Sequence, residues 1–139
     1  MPYWRTFFHI VWTTKNRHPW IGEVEEEIIG RSLTSTFDDM DVIPHAVGYM
    51  PDHVHVIVSI PPKIAVADLV RRMKGASAHA VNQDRPRLEQ PSFGWQDEYG
   101  VHTFGEKALP DVISYVENQQ TIHANRKTWP SMERITDAP

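Results

Sequence analysis

The chain contains no cysteine, which removes disulfide frameworks, thiolate metal sites and cysteine nucleophiles from consideration at once. That usage suits a reducing compartment, so the expected location is cytoplasmic. No apolar run approaches the roughly 20 residues that a membrane-crossing helix needs, and no membrane partner is expected. The opening residues Met1-Pro2-Tyr3-Trp4-Arg5 lack a basic segment followed by an apolar stretch and a small-residue cleavage site, so no signal peptide is expected. An excess of positive charge is missing too: 14 basic residues against 18 acidic ones leave a formal charge of −4. A general nucleic-acid coat protein would carry the opposite sign. A site-specific enzyme needs only a local basic surface.

What remains is an ordinary globular composition, 139 residues of which 40% are hydrophobic and 23% charged. This size suits one domain over residues 1–139, with a core over about 3–127 and a tail at 128–139. Thr6 to Thr14 (TFFHIVWTT) is rich in β-branched and aromatic residues and predicts a strand. A polar turn over Lys15 to Pro19 follows. From Gly22 to about Met40 the pattern becomes helical, with Val24, Ile28, Leu33, Phe37 and Met40 as the apolar stripe and Glu23, Glu25 and Glu26 at the favourable end of the helix dipole. Val42 to Met50 predicts a strand whose Pro44 implies an edge or a bulge. A tight turn at Met50-Pro51-Asp52 joins it to a strand over His53 to Ile60, and the two strands are expected to make a hairpin. A second helix is expected from Val66 to Asn82 with Leu69, Val70, Met73 and Ala80 buried, then a loop from Gln83 to Gly94, a strand over Val101 to Phe104, and a last helix over Leu109 to Arg126. The order β-α-β-β-α-β-α predicts an α+β fold: a ferredoxin-like split βαβ antiparallel sheet with an added C-terminal helix. That fold hosts many activities, so function must be read from a site.

Three groups of residues point to chemistry. His53-Val54-His55 lies within a strand, where side chains alternate, so both imidazoles share one face while Val54, Val56 and Val58 occupy the other. The valine face is expected to meet the two helices, leaving the histidines on the open side, close enough to share a divalent ion. The same spacing also fits two histidines that are merely exposed or hydrogen-bonded near a turn. On the last helix Tyr115 and Gln119 are four residues apart and share a face, with His123 continuing it. Val112, Val116 and Ile113 would form the packed stripe, with Tyr115 slightly offset. A helical tyrosine is equally at home as a half-buried packing residue. A phenol titrates near 10, so attack near neutral pH would need a metal-polarised phosphate or a general base. Lys15, Arg17, Arg71, Arg72 and Lys74 form a basic set, and Trp12, Trp95 and Tyr99 supply aromatic surface, the pairing that holds single-stranded nucleic acid. Arg71 and Arg72 fit a solvated helix face as well.

At these residues the sequence resembles the insertion-sequence-200/605 transposases and their relatives, the REP-associated tyrosine transposases. The matching stretches are HIVWTTKNRH (His9 to His18), MPDHVHVIVSIPPK (Met50 to Lys63), LVRRMKGASA (Leu69 to Ala78), GWQDEYGVHTFG (Gly94 to Gly105) and ISYVENQ (Ile113 to Gln119). They fall in order across nearly the whole chain. The resemblance implies that His53 and His55, with Gln119, bind Mg2+ or Mn2+, and that Tyr115 attacks a DNA phosphate to leave a 5′-phosphotyrosine and a free 3′-hydroxyl. It implies single-stranded DNA with hairpin-marked ends as substrate. It also implies a homodimer in which Tyr115 of one chain serves the histidines of the other. The acidic balance and the Asp97-Glu98 pair depart from what a DNA-binding transposase leads one to expect. They keep open a domesticated regulator that binds nucleic acid with or without cutting it. A purely binding module has no need of the full set His53, His55, Tyr115 and Gln119. A replication-initiation or relaxase-type enzyme shares the chemistry, but such proteins are usually larger and many carry a third metal-binding histidine.

Overall fold

The computed structural model describes residues 3–84 and 92–118. Its elements are β1 (Phe8–Thr13), α1 (Glu23–Met40), β2 (Ile43–Met50), β3 (His53–Ser59), α2 (Val66–Asp84), β4 (Gly100–Thr103) and α3 (Leu109–Glu117), with short 3-10 turns at Lys15–Arg17 and Glu106–Ala108. The strands form one antiparallel sheet in the order β2-β3-β1-β4. The crossover through α1 skips β3, and the crossover through α2 skips β1. This is the expected split βαβ, with α3 added. Gln119, His123 and the rest of the expected last helix and tail lie outside the described residues, as does most of the expected 83–94 loop.

Local chemistry explains the element ends. The Glu25 carboxylate reaches back to accept from the Gly22 N–H at 2.9 Å, satisfying a backbone donor that the start of α1 leaves over. The helix stops at Asp41, whose φ of 57° is the left-handed conformation that glycine more often supplies. In β2 the register shifts between Pro44 and Ala46. Proline has no N–H to give a neighbour, and β2 is an edge strand, so the bulge falls where the sequence reading expects it.

Two helices cover one sheet face. Ile29, Leu33, Phe37 and Met40 of α1 and Leu69, Val70, Met73 and Val81 of α2 pack with Ile10, Trp12, Val54, Val56 and Val58. Burying one large aliphatic side chain of this kind stabilises the fold by about 1.5–3 kcal/mol. The expected stripes need two corrections. Val24 is 57% exposed, because it sits about 140° round the helix from Ile29. Ala80 is only partly buried, and Val81 takes the core position instead. Trp12, expected on the surface, is fully buried because it pairs with Val54 and so shares the valine face.

The opposite face is not open, contrary to expectation. Val112, Tyr115 and Val116 of α3 pack against Ala46 and Ile57, a three-and-four spacing that turns one apolar stripe onto the sheet. All seven residues of β3 are therefore buried. Among the described residues no helix is long and apolar enough to cross a membrane.

Candidate active site

Strand register fixes which side chains meet on the face beneath α3. Gly48 of β2, His55 of β3 and Val11 of β1 form one row across the sheet. Met50, His53 and Thr13 form the next, towards the β2–β3 turn. Ala46, Ile57, His9 and His102 form the row on the other side. Period-two alternation thus brings His53, His55 and His9 to one surface, as it was expected to do for the first two.

His53 and His55 stand edge-on with ring centroids 5.0 Å apart. They are 3% and 0% exposed, so their environment is drier than the open face expected of them. His53 Nδ1 lies 2.6 Å from Asp52 Oδ1. Burial works to raise the Asp52 pKa, but the hydrogen bond and charge attraction of His53, with Arg17, outweigh it and hold the carboxyl below its ordinary value. An ionised carboxylate only accepts, so His53 donates Nδ1–H and keeps its lone pair on Nε2. Arg17 Nε donates to the other Asp52 oxygen at 3.1 Å. Arg17 and Asn16 both adopt positive φ, near 55°, in the short turn after β1. The arginine therefore comes back over the end of the sheet and steadies Asp52, which steadies His53.

His55 has a different neighbour. Its Nδ1 is 2.7 Å from Nε2 of His9, a histidine 1% exposed on β1. Sequence reading passed over His9, although the alternation Phe7, His9, Val11, Thr13 places it on this face. Behind it stands His102, with ring centroids 5.9 Å apart.

Tyr115 is 3% exposed, and its ring meets that of His55 edge-on at 6.1 Å. The offset from the packed stripe expected for it is absent: it is part of that stripe. Gly48 makes this docking possible. A Cβ at Gly48 would stand 2.3 Å from the carbonyl oxygen of Val116, so no larger residue fits beneath α3 at its present height. This contact joins α3 to β3 of the same chain.

Two imidazoles on one dry face, one of them backed by a carboxylate, are a suitable partial donor set for a divalent transition ion. Among the described residues no group of three or more His, Asp or Glu side chains is gathered to hold an ion. Gln119, the oxygen donor that would suit Mg2+ or Mn2+, lies outside the described residues.

The remaining expected residues fall in two adjoining places, with Arg71, Lys74 and Trp95 lining one cavity. Lys15, Arg17 and Trp95 lie at the Asp52–His53 end of the sheet, where Thr14 bridges to Trp95 and its N–H bonds the Asp52 carbonyl. Trp95 is half-buried, packs edge-on against Trp12 and Phe93, and donates its indole N–H to Ser77. Arg71, Arg72 and Lys74 ride on α2, which covers the valine face, so they are not gathered with the histidines. Arg71 pairs with Asp68, and Arg72 with Asp39. Lys74 donates to the carbonyls of Gln96 and Glu98, and burial lowers its pKa against the opposing pull of Asp97.

Known proteins resemble this chain in sequence and in fold. The family model described as "Transposase IS200 like" matches residues 2–119. The ISDra2 transposase TnpA of Deinococcus radiodurans is 33% identical over 118 residues, covering 81% of this chain and 82% of that protein. A crystal structure of a D. radiodurans chain provisionally assigned as a transposase superposes with a TM-score of 0.68 at 28% identity, covering 86% of this chain and 95% of that one. A REP-associated tyrosine transposase bound to a REP hairpin also superposes with a TM-score of 0.68, over 100% of this chain and 81% of that one. At 16% identity this last likeness concerns the fold alone.

Proposed function

The chain belongs to the IS200-like transposase family, and from that premise we propose that it cuts and rejoins single-stranded DNA with Tyr115 as nucleophile. The observation that carries the reading is the packing of the Tyr115 ring against His55, beside the Asp52-backed His53. In the proposed reaction the phenol loses its proton and its oxygen attacks the scissile phosphorus. The bond from phosphorus to the 3′ oxygen breaks, and the 3′ oxygen takes up a proton as it leaves. Tyr115 keeps the 5′-phosphate as an ester. Attack by another 3′-hydroxyl reverses these steps and returns the tyrosine, so joining needs no nucleotide cofactor.

His53 and His55, with Gln119, are the proposed ligands of Mg2+ or Mn2+, which when bound would polarise and orient the phosphate. Asp52 keeps the His53 lone pair on Nε2 and the ring in place. The dry surroundings strengthen every electrostatic contact made there. Lys15, Arg17 and Trp95, at the His53 end of the sheet, are the proposed guides for the incoming strand. Arg71, Arg72 and Lys74 would meet DNA on the α2 side. By analogy with the hairpin-bound relative, the substrate is a single strand whose ends are marked by hairpins. The enzyme is proposed to act in the cytoplasm as a homodimer.

A second reading, a domesticated regulator that binds nucleic acid with or without cutting it, follows from the excess of acidic over basic residues and from the Asp97-Glu98 pair. The deciding experiment incubates the full chain with Mg2+ and an oligonucleotide carrying the element's end hairpin, then runs a denaturing gel. A covalent adduct is expected that Tyr115→Phe abolishes while DNA binding persists. DNA binding with no adduct from the wild type would establish the regulator instead.

A further inference from the structure

His9 is a third buried histidine on the catalytic face, and the proposed chemistry does not use it. Its Nε2 lies 2.7 Å from His55 Nδ1, and one of the two nitrogens must carry the proton between them. If His9 donated, neutral His55 would hold its own proton on Nε2 and have no lone pair for a metal. If His9 accepts, His55 is protonated on Nδ1 and offers Nε2. We infer that His9 is the acceptor, a positioning residue that fixes the His55 tautomer and ring orientation, and so sets the metal-binding edge of His55. The inference rests on the reading of His55 as a ligand.

The two halves of the site explain why this acceptor is an imidazole. His53 lies at the end of β3, where its acceptor Asp52 is 27% exposed in its side chain and braced by Arg17. His55 lies two residues deeper and is fully buried, as is His9 beside it. A carboxylate placed there would pay the full cost of leaving water, whereas a neutral nitrogen accepts the same proton at far lower cost. The acceptor therefore comes from the neighbouring strand, on the adjacent row of the sheet, without adding a charge.

The test uses the full-length chain. With 15N-labelled histidine and no metal, long-range 1H–15N correlation spectra are expected to show His55 protonated on Nδ1 and bare on Nε2. Mn2+ alone is then titrated by calorimetry into the wild type, His9→Leu and His9→Gln. Leucine is expected to weaken Mn2+ binding about 10- to 100-fold. Glutamine, whose side-chain oxygen can accept at the position of His9 Nε2, is expected to restore most of the affinity. A proton found on His55 Nε2 overturns the inference, as does a folded His9→Leu chain that binds Mn2+ like the wild type. If His9→Leu does not fold, the wild-type spectrum and the His9→Gln affinity decide. A flat Mn2+ titration for the wild type itself would instead overturn the ligand reading, and this inference with it.

Discussion

At the scale of single residues, Asp52 ties the fold to the proposed chemistry. Its carboxyl is held below its ordinary value in the folded chain, while the unfolded chain keeps the usual value of roughly 3.9. Between those two values the unfolded chain binds more protons, so stability falls as the pH falls. The contribution of Asp52 is fully present above the unfolded pKa and is lost as pH drops through the folded one. Urea midpoints of the wild type and Asp52→Asn should therefore differ by a constant amount from pH 7 down to about pH 4. Below that the gap should close; a gap unchanged at pH 3 would contradict the pairing. The pairing of His53 and His55 on one face was legible from alternation alone. The partner of His55 was not, because a hydrogen bond between strands depends on register, and register places His9 next to a residue 46 positions away.

At the scale of elements, the two sheet faces are separate cores and should respond separately. Leu33, 1% exposed on the α1 side, should lose about 2–5 kcal/mol of stability on substitution by alanine, while Mn2+ affinity stays unchanged. Gly48→Ala should cost about 1–3 kcal/mol through overpacking and lift α3, carrying Tyr115 away from His55. Urea denaturation gives the stability of both variants, and the adduct rate on the gel should fall only for Gly48→Ala. An unaffected rate in that variant would mean that the height of α3 is unimportant. The sequence held two signs that the histidine face is covered. Ile57 puts an apolar side chain on that face, and a glycine inside a strand often marks a close backbone approach. Neither names the covering element, since the nine described residues of α3 are too short to announce their partner.

At the scale of the whole molecule, the element order, the split βαβ sheet and the helix-covered valine face were all readable from periodicity. Basic surface was not, because ion pairs such as Arg72–Asp39 join residues 33 positions apart and are set by helix packing. Where each chain works with the Tyr115–His55 pair that it carries, two inactive variants should not rescue one another. Mixing Tyr115→Phe with His53→Ala, after co-refolding, is expected to give no covalent adduct on the gel. A restored adduct would mean that α3 is exchanged between subunits. The burial of β3 on both faces has a further consequence for how such a protein fails. Most antiparallel strands have a wet side from which they can fray. This one opens only when a whole layer of helix leaves, so the histidine pair is tied to the slowest-opening part of the chain. Its geometry should persist through local fluctuations and vanish with the cooperative transition, so that heat inactivates the protein in one step.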